Sequence, residues 1–188
     1  MTQATRDIDV VDELTADHRE ATELLDRILT TTDPETRRDM ADTVITELVR
    51  HSVAEEMYVY PEIEKTFPDG KKVVEHDIEE HKELERTMKE LEGCDAADAR
   101  FTELVSELRE QLHHHATDEE DEQFPRLRTY VSRERLVQMR EQVETAKKLA
   151  PTRPHPGAPN SEVFHKLVGP GVGLMDRVRD KLTGRTTS

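Results

Sequence analysis

The stretch 115-HATDEEDEQFP-125 repeats a pattern already present at 51-HSVAEEMYVYP-61, for both read H-x3-E-E-x4-P. The match extends outward: His18 lies 33 residues before His51, and His81 lies 34 before His115. The chain therefore reads as two related helical hairpins, offset by 63 to 64 residues. Helical periodicity agrees. Apolar stripes Ala41, Val44, Ile45, Leu48 and Phe101, Leu104, Val105, Leu108, Leu112 run directly into His51/Glu55 and His115/Glu119. The partner helices carry Leu14, His18, Ala21, Leu25, Ile28 and Val74, Ile78, His81, Leu84, Met88. Each of the four helices interrupts its core stripe with one histidine. At about 100° per residue, His113 and His114 point roughly 200° and 100° away from His115 and belong on the surface, as does His76.

Composition sets the bounds around this repeat. The 188 residues are 37% charged with little glycine, and all-α is the expected class. A net charge of −15 argues against nucleic acid, whose phosphates need a basic face. The N-terminus has no basic start followed by an apolar run, and no stretch has the length of a membrane span. Cys94 is the single cysteine, which suits a reducing cytoplasm.

Five helices are expected. The first covers about Val10 to Leu29. The second starts at Pro34 behind an Asp33 cap, reaches about Thr66 and breaks near Pro61. The third spans about Lys71 to Leu91 and is stopped by Gly93. The fourth runs from near Asp95 to Tyr130, disturbed at Pro125, and the fifth from Ser132 to about Leu149. The expected fold is an up-down four-helix bundle with an additional helix over residues 1–150. Residues 151–188 then form an irregular Pro/Gly-rich tail with short helices, opened by 151-PTRPHPGAP-159. Basic and acidic residues number 21 and 39 before the boundary, and 6 and 3 after it. A cationic tail strapped over an acidic bundle is the simple reading. Docking on a membrane or a protein partner through Leu174, Val178 and Leu182 is the lesser alternative.

Folded antiparallel, the hairpins bring His18, His51, His81 and His115 to one level with Glu55 and Glu119. Two carboxylates on core stripes need a compensating charge, because burying an unpaired charge costs several kcal/mol. No lysine or arginine shares those stripes at that level, so a pair of divalent cations is the natural compensation. Mixed imidazole and carboxylate ligation with open positions suits iron better than calcium, magnesium or a closed zinc site. The E-x2-H pairs of ferritin-like di-metal bundles occur only at Glu110/His113 and Glu162/His165, off the stripe or in the tail. Tyr58, one helical step beyond Glu55, either packs above the site with its hydroxyl satisfied elsewhere or serves as a donor or ligand beside the cations, and Tyr60, pointing elsewhere, has no assigned role.

The order H…H-x3-E…H…H-x3-E over residues 10–130 resembles the hemerythrin-like, HHE cation-binding family. The 151–188 ending looks like that of actinobacterial members. The resemblance implies two non-haem iron ions, bridged by carboxylate and by oxo or hydroxo groups. Their ligands would be His18, His51, Glu55, His81, His115 and Glu119. Glu119 stands where oxygen carriers have a second histidine, which argues against simple oxygen carriage. The functions implied are reaction with peroxide (catalase-like) or nitric oxide, or reversible binding of O2 or NO as a sensor or buffer. A third reading, of another class, is a metal-storage or interaction module without catalysis.

Overall fold

A computed structural model describes residues 8–156, together with 172, 176, 180 and 181. Helix α1 (Val10–Thr30) starts at Asp9, whose carboxylate accepts from the backbone of Val11 and Asp12, while Asp12 returns a bond to the Asp9 amide. Asp33 caps α2 (Pro34–Tyr58), with proline in the first turn where no amide is needed. The helix breaks at Val59 before α3 (Tyr60–Thr66). Helix α4 (Gly70–Gly93) follows at once. It runs through Gly93 and ends on an extended Cys94, so no left-handed glycine stops it as expected from the sequence.

The fourth expected helix starts later than expected, at Ala99, but reaches Tyr130 as the sequence indicates. Asp98 caps α5 (Ala99–Asp118), which passes into a π-helical turn (Glu119–Gln123) and then α6 (Phe124–Tyr130). Pro125 has no amide to offer the helical ladder, and the wider turn ahead of it absorbs the defect. Ser132 caps α7 (Arg133–Leu149). All regular structure among the described residues is helical, and none of those helices is long and apolar enough to cross a membrane.

Helices α1, α2, α4 and α5 form the four-helix ring, each packing on two of the others, and α7 lies along α2 and α1. The apolar interior is split in two. One cluster, with Leu25, Ile45, Met88 and Leu108, fills the end near the hairpin turns. The other, with Leu14, Val59, Tyr60, Phe67, Phe124 and Met139, fills the end closed by α3, α6 and α7. The expected histidine level lies between them.

Gly70 sets how closely α3 and α4 meet. A Cβ there would sit 2.3 Å from the Ile63 carbonyl oxygen, so only glycine fits. Residues 151–156 leave the helix but stay against the bundle. Thr46 donates to the Thr152 carbonyl at 3.2 Å, and Arg153 reaches Glu92 and Asp180 at 2.7 Å each. Leu174, Val178 and Leu182 lie outside the described residues.

Candidate metal centre

The structure brings together all six residues singled out by the repeat. His18, His51, His81 and His115 are 1–2% exposed, Glu55 is fully buried and Glu119 is 1% exposed. Every imidazole turns Nε2 toward the axis of the bundle. Glu55 Oε2 lies 3.1 Å from His51 Nε2 and 3.4 Å from His81 Nε2, while Glu119 Oε2 lies 3.4 Å from His18 Nε2 and 3.7 Å from His115 Nε2. Each carboxylate thus spans the two hairpins. Their ligating atoms fall into two overlapping groups, His18/His51/His115/Glu119 and Glu55/His81/His115. The two groups share His115, and together they offer donors positioned to bind metal ions.

Four further carboxylates hold the outer edge of the rings. Nδ1 of His18 meets Glu120 at 2.9 Å, that of His51 meets Asp17 at 3.1 Å, that of His81 meets Glu56 at 2.9 Å and that of His115 meets Glu80 at 2.9 Å. The repeat therefore encodes more than ligands. In H-x3-E-E the first glutamate enters the axis, and the second orients a histidine of the other hairpin. In 17-DH-18 and 80-EH-81 the acid orients the histidine of the same hairpin. An ionised carboxylate only accepts, so each Nδ1 carries a proton, and a ring that is otherwise neutral turns its Nε2 lone pair inward.

This arrangement is uncomfortable without a cation. His18 Nε2 and His51 Nε2 face each other at 3.1 Å. Both oxygens of Glu55, both of Glu119 and Nε2 of His115 are shut off from solvent without a hydrogen bond. Buried polar atoms are normally satisfied, and here five that are not converge on one slice. In the metal-free chain, protons take up part of the role. Burial opposes a charge on His51, but Glu55 and Asp17 outweigh it and push the imidazole up to about 10. Glu55, although buried, is held well below the usual carboxylate range by His51 and His81. Donor type, orientation and unmet bonding all fit bound metal ions.

Two aromatic rings close the site from the α3/α6 end. Phe124 stacks on His18 at 6.0 Å, and its repeat mate Tyr60 stacks on His81 at 5.4 Å with its hydroxyl 3.0 Å from His81 Nε2. The expectation that Tyr60 points away is corrected. A continuous helix would carry it off the His51/Glu55 face, but the break at Val59 returns it to the interior. Tyr58 is half-buried and packs against the second apolar cluster. Its repeat mate Glu122 is exposed. The signal that could have found Tyr60 was the aromatic residue preceding the proline in both repeats.

The two halves differ around this frame. Lys147 of α7 contacts Asp17 at 2.6 and 2.8 Å, behind His51. At the positions of Leu14 and Val59 in the first half, the second half has Asp77 and Gln123, joined at 2.9 Å. Burial, with the Glu119 charge adding to it, pushes the Asp77 carboxyl up to about 8. A groove of about 360 Å³ between α1 and α2 ends on Asp17 and His51. Another of about 410 Å³ between α1 and α5 ends on His18 and Glu120.

The family model of the hemerythrin HHE cation-binding domain matches residues 9–127, and again residues 79–168. The chain belongs to that family. It is 32% identical over 174 residues to an uncharacterized hemerythrin-like protein of Schizosaccharomyces pombe, covering 92% of this chain and 86% of the relative. It is also 22% identical over 142 residues to a DNA nickase of Nostoc sp., covering 76% of this chain but 40% of that protein. No solved structure matches. This hemerythrin-domain protein thus has a buried His/Glu cluster positioned to bind metal ions.

Proposed function

We propose that this hemerythrin-domain protein is a non-haem di-iron protein of the cytoplasm. It would react with a small oxidant, peroxide, nitric oxide or dioxygen, at His18, His51, Glu55, His81, His115 and Glu119. The observation carrying this reading is the convergence of unsatisfied, inward-facing nitrogen and carboxylate donors in one buried slice. Iron bound there supplies reversible electron transfer and free coordination positions for an exogenous molecule.

The chain's own residues do the rest. Glu120, Asp17, Glu56 and Glu80 hold the four rings in the ligating tautomer and raise their basicity. Phe124 and the apolar cluster behind it keep water from one end. The Tyr60 hydroxyl, buried and held in protonated form by desolvation and the neighbouring carboxylates, is placed to donate a hydrogen bond into the site. That donor favours reaction over mere storage. The two grooves beside α1 offer small molecules a path to His18 and His51. Nickase activity of the Nostoc relative is not carried over, because the match is 22% identical and covers only 40% of that protein.

The test is metal content with the ultraviolet–visible spectrum of protein loaded with Fe(II), then exposed to air, to NO and to peroxide. The expected result is about two irons per chain and near-ultraviolet charge-transfer bands that vanish when His51 and His115 are both replaced by Ala. Peroxide or NO should then be consumed, and Tyr60→Phe should keep the iron while slowing that consumption. A stable O2 or NO adduct without turnover would establish a sensor or buffer instead. Absence of iron, with stability unaffected by the double replacement, would refute the di-iron reading.

A further inference from the structure

Outside the bundle interior, helices α4 and α5 carry a second pair of H-x3-carboxylate motifs, 76-HDIEE-80 and 114-HHATD-118. Residues four apart share a helix face, so His76/Glu80 and His114/Asp118 each form a two-donor step, and the packed helices set the steps side by side. His76 Nε2 lies 3.5 Å from Glu80 Oε1 and 3.7 Å from Asp118 Oδ2. The His114 ring stands between the same acids, with Nε2 3.5 Å from Glu80 Oε1 and Nδ1 4.0 Å from Asp118 Oδ1. Ligating atoms of His76, Glu80 and Asp118 all come within 4.8 Å of one another.

The pseudo-symmetry of the chain adds an independent argument. Glu80 is the repeat mate of Asp17, and each orients a histidine of the interior site. On its outer side Asp17 meets the Lys147 ammonium. Among the described residues no lysine meets Glu80 in this way. Its Oε2 meets His115, while Oε1 is shielded from solvent and makes no hydrogen bond, with the nitrogens of His76 and His114 facing it. Where one half of the molecule places a cationic side chain, the other half places two imidazoles and a second carboxylate.

We propose that His76, Glu80 and Asp118, with His114 as the adjacent fourth donor, form an external site for a divalent first-row transition cation. Imidazole nitrogen combined with carboxylate oxygen selects ions of the zinc, cobalt and ferrous class over magnesium and calcium, which take oxygen alone. Two side chains from each of two helices can close a tetrahedral set around such an ion. Through its two oxygens Glu80 connects this external cation to the ring of His115. The site stands whether or not the interior group holds iron.

Titration of the full-length, metal-free chain with Co(II), read by equilibrium dialysis and visible absorption, tests this. His76→Ala/His114→Ala changes exposed side chains and should fold normally by circular dichroism. It is expected to bind about one Co(II) fewer than the wild type. The His18→Ala/His51→Ala variant, which removes interior donors, is expected to retain that external equivalent, so loss of the interior site is read separately. Equal Co(II) binding by the wild type and His76→Ala/His114→Ala would overturn the proposal. So would displacement of the external Co(II) by millimolar Mg2+, which would mark an unselective acidic patch.

Discussion

At the scale of single residues, the outer carboxylates govern how good the interior donors are. Glu56 and Glu120 are repeat mates, and each fixes a histidine of the opposite hairpin at 2.9 Å. Replacing such an orienting group in metal proteins typically weakens the metal about 10–100-fold. Glu56→Gln and Glu120→Gln should each lower the apparent iron affinity by a factor in that range, measured by competition with a chelator. Fold and helix content should stay unchanged. An amide can turn its NH2 toward Nδ1 and favour the wrong tautomer, so the loss should exceed that of a mere hydrogen-bond deletion. Unchanged affinity in both variants would show that the rings are held by packing alone.

At the scale of elements, sequence periodicity carried most of the information about the straight parts and little about the breaks. His115 was separable from His113 and His114 by helical phase alone, because a continuous α-helix has a fixed angular step. The π-helical turn at Glu119–Gln123 and the interruption at Val59 change that step, and the inward position of Tyr60 was illegible for that reason. The orienting acids were equally hidden. They act across helices, and only packing distances reveal that Glu56 serves His81 or that Glu80 serves His115.

Gly70 was also unreadable as a packing residue, since a glycine after 67-FPD-69 looks like an ordinary turn. Its closeness to the Ile63 carbonyl leads to a specific expectation. Gly70→Ala forces α3 away from α4 and should destabilise the protein by about 1–3 kcal/mol, the usual range for overpacking. The denaturant midpoint would report it. A neutral or stabilising effect would mean that the α3–α4 corner yields freely.

For the whole molecule, a belt of ionisable groups between two apolar clusters ties stability to pH when metal is absent. His51 is raised from its ordinary 6.5 to about 10. Its contribution is therefore complete below pH 6.5 and is lost as pH climbs through about 10. Asp77, raised from 3.8 to about 8, acts with the same sign over its own, lower window. Glu55, lowered, contributes above its ordinary 4.5 and loses that contribution only in acid. Chelator-treated protein should accordingly lose stability between pH 6.5 and 10 in equilibrium denaturation. Saturating metal should remove most of this slope, because ligation displaces the same protons. Stability that rises with pH in the metal-free protein across that interval would contradict the assignment.

The buried pair Asp77–Gln123, facing Leu14–Val59 across the pseudo-two-fold, has a consequence for electron accounting. One side of the centre is walled by hydrocarbon and the other by a titratable acid and an amide. Two iron ions placed in such unequal surroundings would differ in potential, so the first electron added would settle on one of them rather than being shared. Half-reduced protein should then give the paramagnetic signal of a trapped mixed-valence pair. Asp77→Leu with Gln123→Val, which copies the apolar wall onto both sides, should narrow the interval between the two reduction steps. Were iron to fill the centre, the positions at which the two copies of the hairpin stopped being alike would make it a two-step redox device.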